Sequence, residues 1–189
     1  MKRVRPGYYR PVNWMLRTPV AAAALAVAAL VIFVGAHAGA AAAPCAGQGN
    51  AGAPAAVQEQ AMLCLVNHAR VNRGLEALAA PGSLASSAAR KSADILRCDD
   101  FSHSACGRDV EYWPHRFGYD GCVGENIAYS FGSAATPRAI FRLWMNSTGH
   151  RENILRGSYD DIGIGMKVGA LEGAGNAHVW TQQFGIRGC

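Results

Sequence analysis

The chain has 189 residues, with 18 Lys and Arg against 13 Asp and Glu, and a formal net charge of +5. Five basic residues (Lys2, Arg3, Arg5, Arg10 and Arg17) precede residue 20, where no acid occurs, so the rest of the chain balances thirteen basic against thirteen acidic side chains. The excess charge belongs to a leader, which removes the electrostatic case for nucleic acid or an anionic membrane as partner of the main domain.

Residues 1–43 read as a signal peptide. The stretch is basic to Arg17, apolar over Val20–Val34, and then carries A-x-A sites ending at Ala38 and Ala40. Cleavage there starts the exported protein between Gly39 and Cys45. The alternative is an uncleaved anchor, because apolar sequence continues to Ala43, about long enough to span a bilayer. Membrane contact is expected only through this leader, if it is retained. Residues 44–56 are a Gly/Ala-rich linker, and residues 57–189 are the domain.

Six cysteines follow the leader: Cys45, Cys64, Cys98, Cys106, Cys122 and Cys189. An even count in an exported chain reads as a disulfide framework. A zinc site built on cysteines lacks its C-x2-C or Cys/His spacing. Cys45–Cys64 is the preferred pair, because it staples the N-terminal segment to the first helix. The partnering of the other four stays open.

In chain order, Val57–Arg73 is a helix with Val57, Ala61, Cys64, Leu65 and Ala69 on one face, stopped by Gly74. Leu75 and Leu78 anchor the connection to a second helix, capped by Ser83 and ending near Arg97, whose Leu84, Ala88, Ser92 and Ile95 share a face. Residues 99–106 form a polar loop held by its cysteines and Phe101. Asp109 caps a short helix through Tyr112 and Trp113, which Pro114 limits. GENIAYSFG (124–132) is a strand. Thr136-Pro137 starts a helix to Met145 with an apolar face of Ile140, Phe141, Trp144 and Met145. Ser147 then caps a turn that places His150 first and Ile154 and Leu155 inward. Residues 161–168 alternate Ile and Gly, a strand with one face bare of side chains, and Trp180 or Trp144 is expected to pack on that face. A Gly-rich turn over 169–177 leads to a returning strand, HVWTQQF, over 178–184. Clustered helices with mostly antiparallel strands make the class α+β in three layers.

Three polar side chains stand at element ends or on a loop: His103, Glu125 and His150. Two imidazoles and a carboxylate can ligate a divalent metal such as zinc or act as an acid/base set. The plainer reading is that they hydrogen-bond together. His150-Arg151-Glu152 lacks the P-C-x-x-C of zinc deaminases, and Ser130 lacks the glycine and helix of a nucleophile elbow. His68 reads as a core or boundary residue, His115 and His178 as surface or edge. The sequon at Asn146 reads as chance.

FSH (101–103), GENIA (124–128), WMNSTGHRENIL (144–155), DIGIG (161–165) and VWTQQFG (179–185) resemble, in order and spacing, the motifs of the CAP superfamily, in its secreted bacterial branch. The family joins cysteine-rich secretory, antigen 5 and pathogenesis-related proteins. The resemblance implies an α-β-α sandwich with a central, mostly antiparallel sheet. It also implies a cavity holding two histidines and two acids, with His103, Glu125 and His150 at three of the positions. Ser147 stands where the second acid of a W-x-x-E pattern is found. Two functions follow as expectations. The first is a secreted binding module for an apolar ligand or an extracellular protein, using aromatics such as Tyr112, Trp113, Tyr119 and Tyr129. The alternative is a metal-assisted hydrolase of cell-wall or extracellular substrates through His103, Glu125 and His150.

Overall fold

Small residues on one long helix and bare glycines on one strand decide how the layers meet. The computed structural model describes residues 45–189; the leader expected over 1–43 lies outside the described residues. Five helices, α1 (Ala55–Val71), α2 (Gly82–Cys98), α3 (Tyr112–Arg116), α4 (Pro137–Asn146) and α5 (Thr148–Leu155), flank three strands, β1 (Gly121–Phe131), β2 (Asp161–Leu171) and β3 (Ala174–Arg187). The sheet is antiparallel throughout, in the order β1-β3-β2.

Alternation along the strands sends side chains to two different cores. Ala128, Trp180 and Met166 lie abreast in the register and join Met62 and Val66 of α1, Ile140 and Trp144 of α4 and Ile154 of α5. Ile127 and Val179 project to the other side and meet Ile95 of α2. The three layers are therefore α1/α4/α5, sheet, and α2, the arrangement that the sequence implied.

The bare face of the Ile-Gly strand is covered differently from expectation. A Cβ added at Gly163 or Gly165 would run into the backbone of Leu84, Ala88 and Ala89 in α2, whereas Trp144 and Trp180 lie in the opposite core. The reason is matched smallness. Ala85, Ala88, Ala89 and Ser92 on α2 let its backbone settle on the glycines, and Ser92 Oγ donates to the Gly165 carbonyl at 3.1 Å.

Other differences are local. The buried side of α1 is Gln58, Ala61, Met62, Val66, Ala69 and Arg70, so the apolar stripe is rotated and Val57 is exposed. Pro81, not Ser83, precedes α2, and α3 begins only at Tyr112, without a side-chain cap from Asp109. Thr136 does cap α4, its hydroxyl accepting from Ala139 N at 3.2 Å, but Ser147 gives α5 no side-chain cap. Most of the expected 169–177 loop is strand; only Glu172 and Gly173 turn the chain, both at positive φ (51° and 79°), which suits a two-residue hairpin. Cys45 to Pro54 is a run of turns rather than a free linker, with Gln48 O accepting from Arg138 N at 2.9 Å.

The cysteines pair as Cys45–Cys64, Cys98–Cys106 and Cys122–Cys189. The first is the expected staple on α1. The second closes the loop bearing His103, and the third ties the start of β1 to the chain end across 67 residues. In the chain-entropy account the longest loop constrains the unfolded chain most, by about 4 kcal/mol.

Candidate functional site

Glu125 sits on β1, an edge strand, and its side chain points to the α2 layer beside Gln183 of β3, its register partner. That side chain is 1% exposed. Its Oε1 accepts from His103 Nδ1 at 2.7 Å, and its Oε2 accepts from Gln183 Nε2 at 3.3 Å. The Lys91 ammonium, also 1% exposed, lies 3.9 Å from Oε1 and donates to the His103 carbonyl at 2.5 Å. His103 thus has its ring held by Glu125, its backbone held by Lys91, and its loop closed by Cys98–Cys106. The side chain remains 54% exposed, so the imidazole is fixed but reachable.

His150 approaches from the opposite layer, at the first turn of α5. Asn126 Nδ2 donates to the His150 carbonyl at 3.0 Å and to Gln182 Oε1 at 3.0 Å, while Asn153 Nδ2 donates to Asn126 Oδ1 at 2.9 Å. This amide chain fixes α5 against β1. The His150 ring carries a buried Nδ1 with no hydrogen-bond partner. Burial pushes its pKa below the usual imidazole range, and the charge of nearby His103 pushes it further the same way. The three sequence-named residues therefore gather around the β1 edge, with His103 and Glu125 bonded and His150 close by.

Two features escaped sequence reading. Lys91 was invisible as a site residue because a lysine on a helix ordinarily reads as solvent-facing. Its position gave a signal nonetheless: it lies seven residues after Leu84 and four before Ile95, inside the apolar stripe of α2. Burial lowers its pKa, a shift opposed by Glu125 and then by Asp94, Asp100 and Asp109. Gln183 could be found only through strand register. The aromatic set also divides. Tyr112 is exposed and Trp113 half-buried, but Tyr119 is buried and donates to Asp161 Oδ2 at 3.0 Å, which removes it from any binding surface. Tyr129 is spent on Glu172, at 2.9 Å. His68 is exposed rather than core, and His178 is half-buried with an unpartnered buried Nδ1.

The donor set does not fit a zinc centre built on His103, Glu125 and His150. Both Glu125 oxygens are already taken by protein donors, Lys91 brings a positive charge beside them, and Ser147 offers no second carboxylate. Among the described residues no group of three or more His, Cys, Asp or Glu side chains is arranged to hold a metal ion.

The imidazoles set an acid limit on stability. Burial lowers the proton affinity of both His150 and His178 in the folded protein. The unfolded chain, with imidazoles near their ordinary value of about 6.5, then binds more protons. Stability is full above that value and is lost as pH falls through the lowered folded values. The melting temperature should drop between pH 7.5 and 5, and His150→Gln should flatten part of that slope; an unchanged slope would contradict the assignment.

Comparison with known proteins bears on the family and the fold. Residues 63–184 match the model of CAP, the cysteine-rich secretory protein family. The protein YkwD of Bacillus subtilis (strain 168) is 33% identical over 136 residues, 70% of this chain and 49% of the relative, so the chain spans about half the relative's length. An extracellular protein containing a SCP domain from Bacillus anthracis superposes with a TM-score of 0.61 at 25% identity, covering 70% of this chain and 41% of that one. An outer surface protein of Borrelia burgdorferi shares the fold, with a TM-score of 0.57 at 18% identity over 67% of this chain and 90% of that one. With its α+β fold and three disulfides, this chain belongs to the cysteine-rich secretory protein (CAP) family.

Proposed function

We propose that the chain is a secreted, disulfide-locked binding module that uses the α2–α3 face to hold an extracellular partner presenting apolar and anionic groups. One observation carries this reading. A groove of about 350 Å³ is lined by Ser86, Ala89, Arg90, Ala93, Phe117 and Lys167. Phe117 is 38% exposed there, and neither Arg90 nor Lys167 has an ion-pair partner among the described residues. The only acid of α2, Asp94, is buried and already bonded to Arg97, Arg108 and Trp113, each at 2.7 Å. The groove is therefore locally positive on a domain of balanced charge, with an aromatic wall. Arg90 lies over the Trp113 ring at 5.9 Å, which restrains its guanidinium before any ligand arrives. The signal-peptide pattern read in residues 1–43 and the three disulfides support an extracellular setting.

The hydrolase alternative draws on His103, Glu125 and His150, of which only His103 and Glu125 are hydrogen-bonded to each other. Glu125 is committed to protein donors on both oxygens, and the neighbouring hydroxyls of Ser102 and Ser104 bond each other at 3.3 Å rather than His103. That arrangement favours a role in holding the loop.

Titration with 8-anilinonaphthalene-1-sulfonate, an aromatic anion, tests the groove. A saturable fluorescence rise is expected, weakened roughly tenfold in Arg90→Ala/Lys167→Ala, where two charge-assisted contacts are lost. An unchanged response in that double variant would reject the reading.

A further inference from the structure

We infer that the Cys98–Cys106 disulfide is a reducible latch on the His103 loop, opened by an external dithiol while the other two bridges keep the domain folded.

Three observations single out this bridge. The first is access. Cys98 is exposed at the C-terminal end of α2 and Cys106 is half-buried, whereas Cys45 of the first bridge is buried. The second is charge at one sulfur. Arg97 Nη2 lies 3.4 Å from Cys106 Sγ and donates to Asp94 Oδ1 at 2.7 Å, while Arg108 donates to Asp94 Oδ2 at 2.7 Å. Two guanidiniums thus share one carboxylate beside Cys106. Net positive charge lowers the pKa of a departing thiol and makes it the better leaving group. Cys122–Cys189 is exposed too, but among the described residues no guanidinium is hydrogen-bonded to either of its sulfurs. The third is the backbone. Cys106 stands at φ 62° and ψ 22°, in the left-handed region that disfavours any residue with a side chain. Opening the bridge lets Cys106 leave that region.

The exchange balances with a dithiol as reductant. Its thiolate attacks the exposed Cys98 Sγ and forms a mixed disulfide. The Cys98–Cys106 bond breaks, and its electron pair leaves on Cys106 Sγ beside Arg97. The second thiol of the reductant loses its proton and attacks its partner sulfur, which releases Cys98. The dithiol becomes a disulfide, and its two electrons and two protons pass to Cys98 and Cys106.

The consequence falls on His103, which lies between the two cysteines. The bridge spans a sequence separation of 8, against 19 and 67 for the others, so its loss relaxes the unfolded chain least and the domain survives. Phe101 holds the near end of the loop through its edge contact with Tyr129, at 4.7 Å between ring centroids. Between His103 and Arg108 the one buried side chain is the small Ala105. Reduction therefore loosens this segment, and the His103 ring loses its fixed bond to Glu125.

The test treats the wild-type protein with limiting dithiothreitol, traps thiols with N-ethylmaleimide and maps them by mass spectrometry. Cys98 and Cys106 should label first, about tenfold faster than Cys45 and Cys64 and ahead of Cys122 and Cys189. Arg97→Gln should slow this opening about threefold, and Arg97→Lys, which keeps the charge, should restore most of the rate. In the singly reduced protein the amides of Ala105 and Arg108, which now donate within the loop, should exchange at least about tenfold faster, with the strands unchanged. Cys98→Ser/Cys106→Ser should reproduce that exchange pattern; if it does not fold, the reduced wild-type protein carries the measurement. First labelling at another bridge would overturn the inference, as would an Arg97→Gln rate equal to wild type or a loop equally protected after reduction. Neither result bears on the dye titration of the α2–α3 groove, so the two readings fail separately.

Discussion

Gly165→Val is expected to lower stability by more than about 3 kcal/mol, enough to leave a marginal domain largely unfolded at physiological temperature. A Cβ at this position would overlap the backbone of Ala88 and Ala89, which has no rotamer to move. Relief requires α2 to lift away from β2, and that would open the core of Ile95, Ile127 and Val179 and break the Ser92–Gly165 hydrogen bond. Gly169→Ala on the same strand is the control. A Cβ there meets only the flexible tip of Leu96, at 3.0 Å from Cδ1, so the change should stay within about 1 kcal/mol. Urea unfolding of both variants decides the matter, and similar midpoints would show that the α2–β2 approach is looser than the backbone contact implies.

That contact also shows where sequence reading stops. The alternating glycines of DIGIG announced a strand face without side chains, but on the second helix Ala88 and Ser92 were read only as members of a face with Leu84 and Ile95, not as a close-approach surface. Pairing them required knowing that the two elements are neighbours, and a bulky tryptophan was the more obvious filler. The site divides in the same way. His103, Glu125 and His150 were legible because motifs carry them, although Glu125 lies inside β1 rather than at its end. Lys91 and Gln183 reach Glu125 only through layer packing and strand register, which no local pattern encodes. The hairpin strands were read too short for a different reason: five small or flexible residues between Gly169 and Ala177 look like a loop, yet all of that stretch except Glu172 and Gly173 belongs to β2 or β3.

Arg70→Met should cost about 3–5 kcal/mol, although no carboxylate touches this residue. Arg70 is 1% exposed, and burial lowers its pKa, yet a guanidinium remains charged under all ordinary conditions. Its charge is met by carbonyl oxygens: Nε donates to Glu76 O at 2.9 Å, Nη1 to Ile154 O and Arg156 O at 2.9 Å each, and Nη2 to Tyr159 O at 3.4 Å. Two of these carbonyls end α5, where the helix dipole is negative and the last carbonyls have no helical partner. One planar cation therefore closes α5, fixes the connection into β2, and ties both to the loop after α1. Methionine fills similar volume but takes the guanidinium from four carbonyls, of which those of Ile154 and Tyr159 are buried, while Arg156 O keeps only the Tyr159 N–H at 3.4 Å. Lysine keeps the charge on a single point and cannot span acceptors on three segments, so Arg70→Lys should recover less than half of the loss. Hydrogen exchange should locate the damage, with protection falling first between Ile154 and Tyr159 and at the His150 turn ahead of it. A variant that stays within about 1 kcal/mol of wild type, with that segment still protected, would show that water replaces the guanidinium at little cost.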